Sequence, residues 1–232
     1  MFVVEGIRAV EELARSPLRV VGVLASSDLA LHPRASTLRD TLAAQGVEIV
    51  TVTAAEFETA AETEAPQGIL AIAATPNRAL DDYVDADPAR LLILDAVQDP
   101  GNVGTLLRTA AGLGVTATVA LPGTVDLWNA KVVRSAMGAH FLHPAMHCTW
   151  DELRLFLDRS AIPLWAADAR GAAASRETAP RRLALAVGNE GAGLTEAVRD
   201  RAVHAVSLPL ASGVESLNVA VAAALLLYEL RP

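Results

Sequence analysis

The sequence predicts an α/β protein in two parts, a small α/β unit followed by a larger and largely parallel sheet, and three observations predict it. Apolar stretches of strand length alternate with stretches of helical period along nearly the whole chain. Residues 77–89 interrupt that alternation with Asp81, Asp82, Asp85, Asp87 and Pro88, and so read as a linker between units over 1–76 and 90–232. The 232 residues are 52% hydrophobic with positive mean hydropathy, enough to bury one large core or two small ones.

In the first unit the pattern predicts a helix over 5–14, a strand over 18–24, a helix over 35–44, and strands over 47–52 and 68–74. The second unit begins with a strand over 91–95, a helix over 103–113, a strand over 115–121 and a helix over 150–159. Strands over 162–167 and 183–187 follow, then a helix over 194–201, a strand over 204–208 and a helix over 217–230. Strands joined through helices imply a sheet covered on both faces, whose ligands sit beyond the carboxyl ends of the strands. Ala172, Ala173 and Ala174 are expected in a flexible loop. The most apolar segment, 219–228, is too short for a membrane span of about 20 residues and reads as a buried helix.

Composition narrows the function classes. The first fourteen residues carry acidic side chains on a helical pattern where a secretory signal would have a basic then apolar run, so export is not expected. Cys148 is the only cysteine, which excludes an internal disulfide and a cysteine-built zinc site within one chain and fits a reducing cytoplasm. His140, His143 and His147 match no single helix face or common zinc spacing, so no metal is expected. A net charge of -8 weighs against a phosphate-binding surface, but Arg170, Arg176, Arg181 and Arg182 cluster, as do Lys131 and Arg134, leaving local basic patches for RNA.

Three loops after three predicted strands carry the chemistry. The first reads Asp99-Pro100-Gly101-Asn102 and leads into the helix that bears Arg108; a turn with Asn102 as its helix cap is the plain alternative. Val103, Leu106, Leu107, Ala110 and Leu113 make that helix's apolar stripe, and its other face is Gly104, Thr105, Arg108, Thr109 and Gly112, small enough for a ligand or a second backbone to approach. The second loop, Gly188-Asn189-Glu190-Gly191-Ala192-Gly193, has neither the ending of a phosphate-binding P-loop nor the dinucleotide glycine order. Gly112-x-Gly114-x-x-Ala117 does have a loose form of that order but precedes a strand. The third, 208–218, opens the terminal helix, with Ser216 a candidate cap and Asn218 a polar amide that needs partners in an otherwise apolar helix.

Together these segments resemble the SpoU ribose methyltransferases of the knotted SPOUT superfamily. The resemblance rests on Asp99-Pro100-x-Asn102-x-Gly104-x-x-x-Arg108-Thr109-Ala110, on Gly188-Asn189-Glu190-Gly191-x-Gly193-Leu194, and on Pro209 followed by Ser216-Leu217-Asn218-Val219. Val4-Glu5-Gly6 with Pro66-Gln67-Gly68-Ile69 is similar to the family's substrate-binding domain. The resemblance implies a deep trefoil knot, a homodimer, and S-adenosylmethionine held bent by Gly188, Asn189, Gly191, Leu208, Leu217 and Asn218. It also implies a reactive cluster of Arg108, Asn102, Glu190, Ser216 and Asn218, with Arg108, Lys131 and Arg134 toward RNA, ribosomal RNA being favoured over transfer RNA.

Methyl transfer to a ribose 2′-hydroxyl needs an in-line approach and loss of a proton, with no covalent nucleophile, and Cys148 lies in none of the loops. An arginine is a poor base in water, so Arg108 is open between accepting the proton and clamping a phosphate. The competing readings are a relative that binds cofactor or RNA without transfer, which the intact polar cluster opposes, and a nucleotide-dependent oxidoreductase, which the missing dinucleotide motif opposes.

Overall fold

The computed structural model describes residues 1–31 and 33–231. The first unit comprises β1 (Phe2–Glu5), α1 (Ile7–Arg15), β2 (Val20–Ser26), α2 (Pro33–Ala44), β3 (Glu48–Val52), α3 (Ala54–Ala60) and β4 (Ile69–Ala73). The first element corrects the sequence reading: 2–5 is a strand antiparallel to β4, and the helix starts only at Ile7. Gly6 separates them at φ 100°, a conformation L side chains avoid. The sheet runs β1-β4-β2-β3 with only β2 and β3 parallel. Helix α3 was not anticipated, although Thr53 and Glu56 close a reciprocal capping box at its start.

Residues 77–89 hold a short 3-10 turn, Leu80–Tyr83, and are not a bare linker. Leu80 is buried in the core of the second unit, where Tyr83, Val84 and Ala86 also pack.

The second unit contains β5 (Ala89–Asp95), α4 (Pro100–Gly112), β6 (Ala117–Ala120), α5 (Ala130–Ala136), α6 (Ala139–Leu142), β7 (Ala145–His147) and α7 (Trp150–Arg159). It continues with β8 (Leu164–Ala173), β9 (Arg182–Gly188), α8 (Glu196–Arg201), β10 (His204–Ser207) and α9 (Val219–Glu229). Its six strands are all parallel in the order β10-β8-β9-β5-β6-β7. Every residue of β5 is buried, and alternate side chains serve two cores: Leu92 and Leu94 on one face, Leu91 and Ile93 on the other. The first core takes α4 and α9, the second α7 and α8.

Three expectations change here. Elements α5, α6 and β7 emerge from a stretch where no element was predicted. Gly171, Ala172 and Ala173 belong to β8 instead of a flexible loop: β10 pairs with β8 at Ala166, then again at Ala172, so 167–171 bulges out of the ladder. A Cβ on Gly171 would lie 2.5 Å from the Ala205 carbonyl carbon, so the second pairing depends on that glycine. Helix α9 buries Ala220, Ala223, Leu226 and Leu227 but exposes Val221, Leu225 and Tyr228, so within one chain it is buried on one side only. Among the described residues no helix is long and apolar enough to cross a membrane.

The two units share a hydrophobic cluster in which Val133 and Phe141 of the second pack with Phe2, Val10 and Leu13 of the first. Phe2 meets the Trp128 ring at 4.3 Å, and Trp128 stacks on His140 at 3.9 Å.

Candidate active site

The three informative loops follow the carboxyl ends of β5, β9 and β10, and the first two of those strands are neighbours at the centre of the sheet. Strand order reverses around them, β6 leaving on one side and β8 on the other, which is where open α/β sheets hold ligands.

Asp99, not Asn102, caps α4: its carboxylate accepts from Asn102 N at 2.8 Å, with Pro100 in the first turn. The Asn102 side chain is thereby released for longer-range bonding. Its Nδ2 donates to Glu190 Oε1 at 2.8 Å, and its Oδ1 accepts from Asn218 Nδ2 at 2.9 Å. One hydrogen-bonded chain, Asn218 to Asn102 to Glu190, therefore ties the three loops together. Asn218 is also the cap of α9, its Oδ1 accepting from Ala220 N and Val221 N; Ser216 is displaced from that role into the exposed loop before the helix. Burial works against the Glu190 charge, but hydrogen bonds from Asn102 and from main-chain groups including Gln98 N and Asp99 N outweigh it and hold the carboxyl below its ordinary range.

The glycine-rich loop is organised from within. Asn189 Oδ1 accepts from Gly191 N and Ala192 N, and its Nδ2 donates to the carbonyl of Ala96, a non-glycine residue at φ 58°. Gly188 and Gly193 lie back to back, since a Cβ on Gly188 would fall 2.3 Å from the Gly193 carbonyl carbon.

Beside the third loop is a cavity of about 420 Å³, lined among others by Asp168, Leu208, Glu215, Ser216, Leu217 and Leu226. Leu208, Ser216 and Leu217 were expected in the site and reach it; Gly188, Asn189, Gly191 and Asn218 shape the surrounding loops without lining it. Asp168 and Glu215 were missed. Asp168 is carried there by the β8 bulge, whose pairing jump has no counterpart in residue periodicity. Hydrogen bonds from Arg170 keep the Asp168 carboxyl below its ordinary range.

Arg108 stands apart from the polar chain. It is exposed, and its Nη1 donates to Met137 Sδ at 2.9 Å. The small face of α4 is explained by a second backbone, because Gly104 meets α5 so closely that a Cβ would lie 2.7 Å from the Val132 carbonyl oxygen. On α5, Lys131 is exposed and Arg134 pairs with Glu62 at 3.5 Å. Arg170 and Arg181 pair with Asp168 and Asp87, and Arg182 donates to the Val84 carbonyl, so that basic cluster is largely spent within the fold.

The histidines have separate surroundings. Burial first, then the charges of His143 and Arg78, lowers His140 to about 3; burial lowers His143 to about 4, with its Nε2 2.8 Å from Thr118 Oγ1; and His147 Nε2 accepts from Leu127 N. Cys148 lies outside the three loops, and burial raises its thiol to about 12, so it is not a ready nucleophile.

Comparison with known proteins agrees with this geometry. Residues 3–79 match the model for RNA 2′-O ribose methyltransferase substrate binding, and residues 89–228 match the SpoU rRNA Methylase family. The chain is 35% identical over 231 residues to the 23S rRNA (guanosine(2553)-2′-O)-methyltransferase RlmP of Bacillus subtilis, covering 99% of this chain and 88% of that protein. It is 37% identical over 169 residues to the 23S rRNA (guanosine-2′-O-)-methyltransferase RlmB of Bordetella pertussis, covering 70% and 69%. The crystal structure of the SpoU methyltransferase AviRb from Streptomyces viridochromogenes, in complex with AdoMet, superposes with a TM-score of 0.89 at 28% identity over 99% of this chain and 88% of that one. With both units matched in order and the three loops joined by one polar chain at the sheet's switch point, the chain belongs to the SpoU rRNA methylase family.

Proposed function

We propose that this protein is an S-adenosylmethionine-dependent RNA methyltransferase that modifies a ribose 2′-hydroxyl in ribosomal RNA, and that it works as a homodimer in the cytoplasm. The observation that carries the reading is the Asn218–Asn102–Glu190 chain, which fixes three loops beside a cavity without using a covalent nucleophile. Residues 1–76 serve as the RNA-binding unit, 77–89 as the connection and 90–232 as the transfer unit. The similarity of RlmP and RlmB, both named as 23S rRNA 2′-O-methyltransferases, favours ribosomal RNA. The lone free thiol of Cys148 fits a reducing compartment.

The cavity suits the cofactor. Its volume falls in the range of small-molecule sites, Leu208, Leu217 and Leu226 offer an apolar wall for an adenine, and the Asp168 and Glu215 carboxylates can accept from ribose hydroxyls or face a cationic sulfonium. Bound there, S-adenosylmethionine supplies an electrophilic methyl carbon. Gly188, Asn189 and Gly191 set the loop behind the cavity, where reciprocal bonds between Asn189 and Gly193 close a tight turn; the knotted path that the family resemblance implies belongs to this reading. Asn102, Ser216 and Asn218 orient the 2′-hydroxyl, and the ionised Glu190 locks Asn102 in place. Arg108, with Lys131 and Arg134, holds RNA phosphate, and Arg108 stabilises the alkoxide that develops as the hydroxyl proton passes to solvent water.

Because Arg108 bonds to none of the polar chain within its own copy, the reading places the complete site across two copies, associated through the apolar stripe Val221, Leu225 and Tyr228 and the face of α4 bearing Arg108. Ribose-methylation mapping by mass spectrometry of RNA from cells with and without the gene tests the reaction. One methylated ribose that disappears with the gene is expected; an unchanged map would overturn it. Sedimentation equilibrium at micromolar concentration is expected to give twice the 24.2 kDa chain mass, and the monomer mass alone would remove the shared site.

A further inference from the structure

A second cavity, of about 280 Å³, opens where the two units meet. It is lined by Gly6 and, on α1, Arg8, Ala9 and Glu12, by Thr63, Ala65 and Gln67, and by Arg134 of α5 with Met137 just after it. Its position follows from the backbone. Met137 takes the left-handed conformation at φ 49° that ends α5, and Gly138 follows at φ 84° so close to α1 that a Cβ would lie 3.1 Å from Glu12 Cβ. The two units therefore touch behind the cavity and part in front of it.

Its chemistry is mixed in a specific way. Ala9, Ala65 and the Met137 thioether give apolar walls. The Glu5 carboxylate is occupied by Glu62 N and Thr63 Oγ1, so it is not free for a ligand. Gln67 Oε1 accepts from Ile7 N at 2.9 Å, which leaves its Nε2 donors without a partner among the described residues. Arg8 is exposed and makes no hydrogen bond or ion pair among the described residues, while Arg134 has only the long contact to Glu62. Unspent guanidinium groups, free amide donors and a soft apolar wall together suit a flat aromatic ring attached to a phosphate.

Continuity with the active face selects the occupant. Met137 lines this cavity, and its sulfur is the atom to which Arg108 donates at 2.9 Å. An RNA strand whose phosphate rests on Arg108 passes Met137 next. We propose that this inter-unit cavity receives the unstacked base of a nucleotide flanking the methylated one, with Arg8 and Arg134 on its phosphates, so that the first unit selects single-stranded or loop RNA in the immediate neighbourhood of the reaction. The proposal rests on the methyltransferase reading above.

The test pairs kinetics with direct mapping on the full chain. Arg8→Glu reverses an exposed charge, and Ala9→Trp fills the cavity; cofactor affinity by calorimetry and the thermal midpoint report whether each variant keeps its fold. With transcribed 23S ribosomal RNA as substrate, both variants are expected to raise the KM for RNA tenfold or more and to change kcat less than threefold. Transcripts carrying 4-thiouridine are expected to photocrosslink to peptides containing Arg8, Gln67 or Met137. If Ala9→Trp unfolds, Arg8→Glu and the crosslinks still decide. Methyl transfer at wild-type KM in Arg8→Glu, with crosslinks elsewhere, overturns the cavity assignment and leaves the enzyme reading standing. Crosslinks at these peptides in a wild-type protein that transfers no methyl group overturn the enzyme reading and leave the cavity.

Discussion

The two ends of the useful stretch of α4 differ in how their polar groups are satisfied. At Asn102 both ends of the amide are engaged by residues about 90 and 115 positions away in sequence, and the neighbouring glutamate is held in its charged form by several donors. At Arg108, less than two turns further along, the guanidinium has one weak sulfur acceptor and open solvent. Between them Gly104 presses on α5 and fixes both ends to one rigid support. The first end is preorganised by the chain itself, and the second is left for something the chain does not supply. A group with unused charge at the edge of a rigid site is suited to meet charge only when substrate arrives, which is where a preorganised donor has its largest effect on rate.

That contrast can be broken most sharply at Arg108. Arg108→Ala is expected to lower single-turnover methyl transfer by about a hundredfold or more while cofactor affinity and thermal midpoint stay near the wild-type level, because within its own chain the side chain gives up only the weak bond to Met137 Sδ. Calorimetry and rapid-quench transfer on the same preparations measure both. Equal losses in the two would place Arg108 inside the cofactor pocket.

Gly104→Ala tests the support. Its Cβ would sit 2.3 Å from Ser135 Cβ and 2.7 Å from the Val132 carbonyl oxygen, so α4 and α5 must separate, at about 1–3 kcal/mol. Denaturant titration should show the loss, and a variant as stable as the wild type would mean that the helices are not held at this spacing.

Asn102→Ala should cost less in stability, about 1 kcal/mol, since the removed side chain leaves Glu190 and Asn218 partly open to water. Its transfer rate should fall, and, unlike Arg108→Ala, cofactor affinity should fall with it as the loops loosen. Unaltered cofactor binding would show that the polar chain does not position the third loop.

The smallest effect expected is the pH dependence of Glu190. Its folded-state pKa lies below the ordinary 4.5, so the unfolded chain binds the proton more readily. The stabilisation is present above about pH 4.5 and disappears as pH falls through the folded value. The stability difference between wild type and Glu190→Gln should therefore shrink on acidification below 4.5, and a difference that grows there would reverse the assignment.

Much of this was legible in the sequence because it depends on local residue types. The alternation of apolar strands and helices gave the parallel sheet, and the resemblance of the three loops to a known family singled out Asn102, Glu190 and Asn218, which the structure joins in one polar chain. Helix α5 was missed since its seven residues span only about two turns, too short a stretch for a period to stand out, and β1 was merged into a helix since only Gly6 divides them. Elements this short owe their form to packing more than to propensity.

By itself the sequence determined which strands are buried and which polar residues stand on the loops beyond them, because burial and turn chemistry act over a few residues. Only the tertiary structure decided which of those residues meet. Asp99 took the helix cap that was the plain alternative for Asn102, freeing Asn102 to bridge Glu190 and Asn218; Arg108 was turned toward Met137; and the pairing jump in β8 carried Asp168 into the cavity. Apart from the Asp99 cap, which is local, each of these outcomes depends on a contact between segments tens of residues apart, whose geometry is set by the register of the sheet and the close approach of backbones at Gly104 and Gly171, and no local periodicity encodes that distance.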